Sequence, residues 1–478
     1  MSRSLFIFRQ DLRLHDNHWL WQTVHSSQEV FPVFIFDTNI VERFPEQDPR
    51  IWFIAEALRQ LDKDLQKVGS YLTVCYGDSI EIIQSLATSL NIDTIARNRS
   101  YGDNSLTRDK AIISWADHQW ITSKSYNDYL LVEPEEVIPM KVFTPFKNRW
   151  LKELATKDYS KPYTIDTMNT PNSYFSPLKK GVGGIWGVKL YQWDDLIPDH
   201  LTIWLSHHLT NLRPVDLWFQ RMMTFDFTSY DDTRNIPSID GTSKLSPYIR
   251  FWLVSIRELY RELLPSCFSP LKKGVGGIWE VGGGSTFLSE LARREYRQHT
   301  AHHFPESRIM EFQEKKRKIA RDNNKEFFKA RCEGRTGYPM VDAGMRQLVT
   351  EKRMHGRTRM VVASFLTKDL LIDRRRGEEF FAQHLLDYDA NVNIGNRQRS
   401  ASVWADPKPM RIFSPMLQSQ RFDPTCAYIK KHIPELENIH PDKIHDPLKY
   451  DLSAYGYVRP IIDHYEWSKK AKLRYKWE

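Results

Sequence analysis

Over the first 130 residues, short apolar runs alternate with amphipathic stretches. Residues 5–7, 33–36, 71–75, 94–96 and 121–123 predict strands, and residues 54–68, apolar at helical intervals, predict a helix. This βαβ rhythm predicts an α/β domain with a parallel, doubly wound sheet over residues 1–130. Ligands of such sheets bind at the carboxyl ends of the strands. No GxGxxG or P-loop occurs there, so motif alone assigns no nucleotide site. From residue 226 to 478 the pattern is all-helical. Ser246-Pro247 opens an apolar-rich stretch with proline in the first turn, where it is tolerated. Residues 360–371 form a strongly apolar helical run. Between the two, residues 131–225 read as a connector with loop signals at 168–172 and 214–215.

The segment FSPLKKGVGGIW occurs twice, at 175–186 and 268–279. The period is long and the flanks differ, so it is no fold repeat. Its Gly, Ser, Pro and Lys content predicts exposed insertions without a catalytic role. With Gly282 to Gly284, the second copy is expected to lengthen the connection before Phe287.

A length of 478 residues calls for more than one core. Charged residues at 27% and hydrophobic ones at 41% are those of a soluble globular protein, and no apolar run reaches membrane-span length. The start, MSRSLFIFRQDLRLHDN, lacks a signal-peptide pattern and reads as a buried strand, which predicts a cytoplasmic protein. The cysteines at 75, 267, 332 and 426 show no metal-ligand spacing and predict free thiols, and no metal site is expected.

Chemistry concentrates between residues 334 and 413. Arg357 and Arg359 sit beside Met360, where the apolar run starts. Asp387-Tyr388-Asp389 follows, and then Asn391 and Asn393. Cations, carboxylates and amides around a buried helix suit a polar ligand held inside a helical domain, although solvated turns on an ordinary core have the same composition. Earlier, Gly241-Thr242-Ser243-Lys244-Leu245-Ser246 places hydroxyls and backbone N–H groups before a helix start. Such a turn either cradles a pyrophosphate or simply caps the helix.

The words GRTGYPMVDAGMRQL, RMVVASFLTKDLLID, DYD, RIFSP, GTSKLSPY, FLSELARRE and FIFRQDLRLHDN together cover nearly the whole chain. They resemble the DNA photolyase/cryptochrome family, closest to the class I enzymes that repair cyclobutane pyrimidine dimers. The resemblance implies FAD in the helical domain and a folate or deazaflavin antenna in the α/β domain, with Asn104 as an antenna contact. It implies that Tyr230, Thr242, Ser243, Lys244, Leu245, Ser246, Arg359, Asp387, Tyr388, Asp389 and Asn393 hold FAD. In that scheme Arg359 pairs with Asp387 beside the flavin ring and Asn393 lies near the ring N5. Glu290 hydrogen-bonds the dimer, Met360 lines its pocket, and Arg234, Arg294, Gly356 and Arg357 face DNA. The implied partner is DNA carrying pyrimidine dimers, and the implied state is a monomer.

The chain also departs from the family pattern. Arginine replaces tryptophan at Arg293, Arg321, Arg331, Arg353, Arg374, Arg397 and Arg399, although 15 tryptophans stand elsewhere. By resemblance, Arg321, Arg374 and Arg397 occupy the electron-hopping chain from flavin to surface. Arg293 and Arg399 occupy the aromatic walls that clasp the dimer, and Arg331 and Arg353 occupy packing positions. Gly356 stands for Asn, and Trp252 for Gly. With tryptophan at those seven sites the net charge of +8 would be about +1, so the basic balance reports the replacements and not a DNA-binding surface. The expected function is a deoxyribodipyrimidine photolyase-type flavoprotein with part of its aromatic set lost. The alternatives are a non-repairing cryptochrome-like light sensor or DNA-binding protein, and a scaffold that has lost FAD.

Overall fold

The computed structural model describes residues 2–44, 48–171, 189–190, 216–267, 283–405 and 410–475. Both copies of the twelve-residue segment lie outside the described residues. The chain divides into two compact units. The first comprises residues 1–136, 151–225 and 244–264, and the second residues 137–150, 226–243 and 265–478.

In the first unit, strands β1 (Arg3–Phe8), β2 (Glu29–Asp37), β3 (Thr73–Gly77), β4 (Thr94–Asn98), β5 (Thr122–Tyr126) and β6 (Lys189–Leu190) form one sheet in the order β5-β4-β1-β2-β3-β6. The first five are parallel, and β6 pairs antiparallel with β3. The order reverses at β1, as a doubly wound sheet requires. Leu5, Ile7, Val33, Ile35 and Ile95 pack against Ile82, Ile83 and Leu86 of the Ser79–Ser89 helix. β3 begins at Thr73, two residues later than expected, because Tyr71 and Leu72 close the loop after the Pro49–Lys67 helix, with Leu72 N–H bonded to Asp62. Asn104 is exposed in the first turn of the Asp103–His118 helix, which follows the carboxyl end of β4.

Trp252 is buried and stacks on Tyr129, with ring centres 4.7 Å apart. Its φ of +47° lies in the left-handed region. Glycine enters that region without strain, which accounts for the Gly that the family pattern has at this position.

The second unit is helical. Its core joins Tyr338, Met340, Val341, Met345 and Leu348 to Val361, Val362, Phe365, Leu366, Phe381, Tyr428 and Ile429. Asp342 fixes the GRTGYP turn, accepting from Thr336 N–H at 2.8 Å and Gly337 N–H at 3.0 Å. The helical run expected at 360–371 divides into an α-helix, Gly356–Ser364, and a π-helical turn, Phe365–Asp369. Periodicity alone does not separate these.

The connection before Phe287 ends sooner than expected, because Gly283 and Gly284 already belong to the Gly283–His303 helix. A Cβ at Gly283 would lie 2.2 Å from Phe227 O, and one at Gly284 2.2 Å from Ser266 Oγ. These glycines therefore serve close backbone approach and not loop freedom.

Among the described residues, no helix is long and apolar enough to cross a membrane, no metal-ligand group occurs, and the four cysteines are free.

Candidate functional site

The Gly356–Ser364 helix presents Arg359 because its N-cap is firm: the His355 ring accepts from Arg357 N–H at 3.2 Å. Arg359 Nη2 then donates to both Asp387 oxygens, at 3.0 and 2.9 Å, while its Nε donates to Met354 O at 2.8 Å. Asp387 is nearly covered and Arg359 is about a third exposed. Met360 is half-buried beside it.

Asp389 caps the Ala390–Ser400 helix through Val392 N–H at 3.1 Å. It also accepts from Gln298 Nε2 at 2.9 and 3.1 Å. Asn393 Nδ2 donates to Glu378 at 3.3 Å, and the Tyr388 hydroxyl donates to the same carboxylate oxygen. Glu378 and Gln298 were not singled out from the sequence. Glu378 hides in the charged run RRRGEE. Gln298 had a readable signal, since Glu290, Arg294 and Gln298 recur at intervals of four on one helix.

Glu290 forms a second set. Its Oε1 accepts from Arg234 Nη2 at 2.9 Å, and its Oε2 lies 3.4 Å from Arg293 Nε. Burial opposes the charge on Arg234, but Glu290, Tyr230 and Asp231 together outweigh it, so the Arg234 pKa is raised. Arg293 also lies over Phe143, 4.3 Å from the ring centre. Tyr230 packs on Phe287 at 5.0 Å, and burial pushes its hydroxyl up to about 12. Among the described residues, no hydrogen bond from Glu290 joins it to Arg359 or Asp387.

Of the other DNA-facing candidates, Arg357 donates to Asn235 and lies over Phe422, 4.0 Å from the ring centre. Burial and then the neighbouring Arg234 and Arg421 lower its pKa. Arg294 is half-buried, and Gly356 is exposed with open space where a Cβ would stand.

The division between the units falls inside the GTSKLS turn. In the helical unit, Gly241 packs so tightly that a Cβ would lie 2.6 Å from Thr233 Cβ, and Gly241 O accepts from Thr233 Oγ1 at 3.2 Å. Thr242 is half-buried and Ser243 buried. In the α/β unit, Lys244 is exposed with φ +57°, Leu245 is buried, and Ser246 opens the short Ser246–Arg250 helix.

The seven arginines that the resemblance sets at tryptophan positions have unlike environments. Arg321 donates to the Tyr475 hydroxyl at 2.7 Å, Arg353 pairs with Glu351 at 3.2 Å, and Arg399 is exposed. Arg374 is 1% exposed. Its Nε lies 3.5 Å from Glu311, a carboxylate that Arg375 holds at 2.9 Å. Arg397 is 5% exposed and lies 3.5 Å above the Phe381 ring. Arg331 is fully buried, and none of its three guanidinium nitrogens has a hydrogen-bond partner. Burial lowers the pKa of all three, but arginine does not surrender its proton in proteins. Leaving a buried charge unpaired costs about 3–5 kcal/mol, a large share of a fold's roughly 5–15 kcal/mol.

A family model described as the FAD binding domain of DNA photolyase matches residues 287–477, and one described as DNA photolyase matches residues 4–164. The deoxyribodipyrimidine photo-lyase of Synechococcus sp. is 31% identical over 480 residues, spanning 98% of this chain and 96% of its own. Among solved structures, a class III photolyase from Agrobacterium tumefaciens superposes with a TM-score of 0.84 at 29% identity, covering 99% of this chain and 97% of that one. A cryptochrome from Synechocystis sp. gives 0.84 at 25% identity, covering 100% and 99%. The chain belongs to the photolyase/cryptochrome family and carries its FAD-binding domain.

Proposed function

We propose that the protein binds FAD in its helical unit and repairs cyclobutane pyrimidine dimers in DNA by light-driven electron transfer, weakened by the loss of its aromatic clasp. The observation that carries this reading is the Arg359–Asp387 pair, which has kept both partners. The other polar groups around it fit a flavin: Arg359 remains a third exposed, and Asn393 keeps an amide that can turn from Glu378 toward a ring nitrogen. Gly241 leaves no room for a side chain where the GTSKLS turn would approach a pyrophosphate.

When bound and reduced, FAD supplies the electron that opens the cyclobutane ring and accepts it back afterwards. This chain's residues do the rest. Arg359 and Asp387 orient the ring, and Asp389 and Asn393 hold it through the start of the Ala390–Ser400 helix. Glu290 hydrogen-bonds the dimer, and Met360 gives it an apolar wall. Arg234, Arg294 and Arg357, with the backbone at Gly356, hold phosphates of a duplex from which the lesion has been flipped, since it cannot reach a buried cofactor from inside the stack. An antenna, a folate or a deazaflavin, would lie at the carboxyl ends of the strands near Asn104.

One observation favours a second reading, a non-repairing cryptochrome-like protein: both Glu290 oxygens face guanidinium groups. Binding to ultraviolet-damaged and undamaged duplexes at moderate salt separates the two. Preference for damaged DNA, weakening as salt rises, supports repair. Equal affinity means that the basic charge merely attracts phosphate.

A further inference from the structure

We propose that the helical unit holds a small inorganic anion of chloride type at the Arg331 guanidinium, between the Lys325–Cys332 and Arg374–His384 helices, with Arg397 adding positive charge from the neighbouring helix. Arg331 is fully buried, and its Nε, Nη1 and Nη2 all lack a hydrogen-bond partner. Arg397 is nearly as covered, and its Nη1 is likewise without a partner. Both guanidiniums lie close to one ring, Phe381, at 5.6 and 3.5 Å from its centre. Two cations at one buried ring repel each other, and the proximity of Arg331 indeed disfavours the charge on Arg397.

The protein offers no counter-charge at that point. Among the described residues, no carboxylate lies within ion-pair distance of Arg331 or Arg397. Glu378, which favours the Arg397 charge from further off, is already engaged by Tyr388 and Asn393. The Cys332 thiol favours the Arg331 charge, but burial raises its own pKa and keeps it neutral. Nitrogen donors on a planar fork, buried and without an acceptor, match what an anion needs in place of its water shell. A small monovalent ion suits a place this closed better than phosphate, which needs more room and more donors.

The test is thermal unfolding of the full-length protein in sodium chloride against sodium gluconate at constant ionic strength. The expected result is a midpoint that rises with the logarithm of chloride concentration, by about 2–4 °C once chloride reaches about a hundred times its dissociation constant. Arg331→Met should lose that rise, while Arg335→Ala, at an exposed arginine nearby, should keep it. Crystals of the unmodified protein grown in bromide should show an anomalous peak within hydrogen-bond distance of Arg331, which tests the site whether or not the variant folds. A midpoint indifferent to chloride, an equal rise in Arg331→Met, or bromide density absent from Arg331 would each overturn the assignment.

Discussion

Arg293 lies one helical turn after Glu290, and its Nε stands 3.4 Å from the Glu290 Oε2 that would otherwise be free to meet a ligand. In the proposed site Arg293 stands in place of an aromatic wall, and it competes for the neighbouring carboxylate. Arg293→Trp should raise affinity for dimer-containing DNA about fivefold, the lower end of what one base–aromatic stack is worth, without changing affinity for undamaged duplex. Titration of both duplexes, at a salt concentration held constant, checks this.

Asp387→Ala leaves the Arg359 guanidinium without its carboxylate beside the proposed flavin site. Removing one partner of such a pair costs roughly 2–5 kcal/mol of binding. Purified variant reconstituted with FAD should retain far less flavin than the parent, read from absorbance per protein.

The pH dependence of stability should carry the signature of His355. Burial, aided by Arg353, Arg359 and Arg357, lowers its pKa to about 4 from 6.5. The folded state thus prefers neutral imidazole, whose Nδ1 can cap the helix. The stabilisation is complete above pH 6.5 and is lost as pH falls toward 4, because the unfolded chain takes up the proton first. His355→Asn keeps a capping side chain and removes the titration. Denaturant unfolding at pH 7 and pH 5 should show a smaller loss in the variant than in the parent.

The five parallel strands and the helical second half were legible from hydrophobic spacing, because β1, β2 and β4 are buried on both faces and the helices repeat their apolar positions. The Arg359–Asp387 pair was legible only through resemblance, since 28 residues separate its members and no periodicity links them. Glu378 was not legible: it stands in the charged run RRRGEE, while the fold turns it toward Tyr388 and Asn393. The arginine replacements were visible in the sequence, but their consequences were not. Only the fold separates Arg321, which finds Tyr475, from Arg331, which finds no acceptor.

Replacing Arg331 by tryptophan should stabilise the protein by about 1–4 kcal/mol in chloride-free buffer, the range seen when buried charges give way to well-packed apolar groups. Urea unfolding of the variant and the parent measures it.

Repair chemistry is expected to survive while the supply of electrons from the protein does not, because guanidinium at Arg321, Arg374 and Arg397 cannot be oxidised as indole can. The direct measurement is dimer repair under blue light by the same preparation in two states. One is chemically reduced, and the other is oxidised and illuminated with an external thiol. Repair by the reduced protein, with flavin absorbance in the oxidised sample bleaching slowly or not at all, is the predicted result. Fast and complete photoreduction, or no repair by flavin-loaded reduced protein, would contradict it.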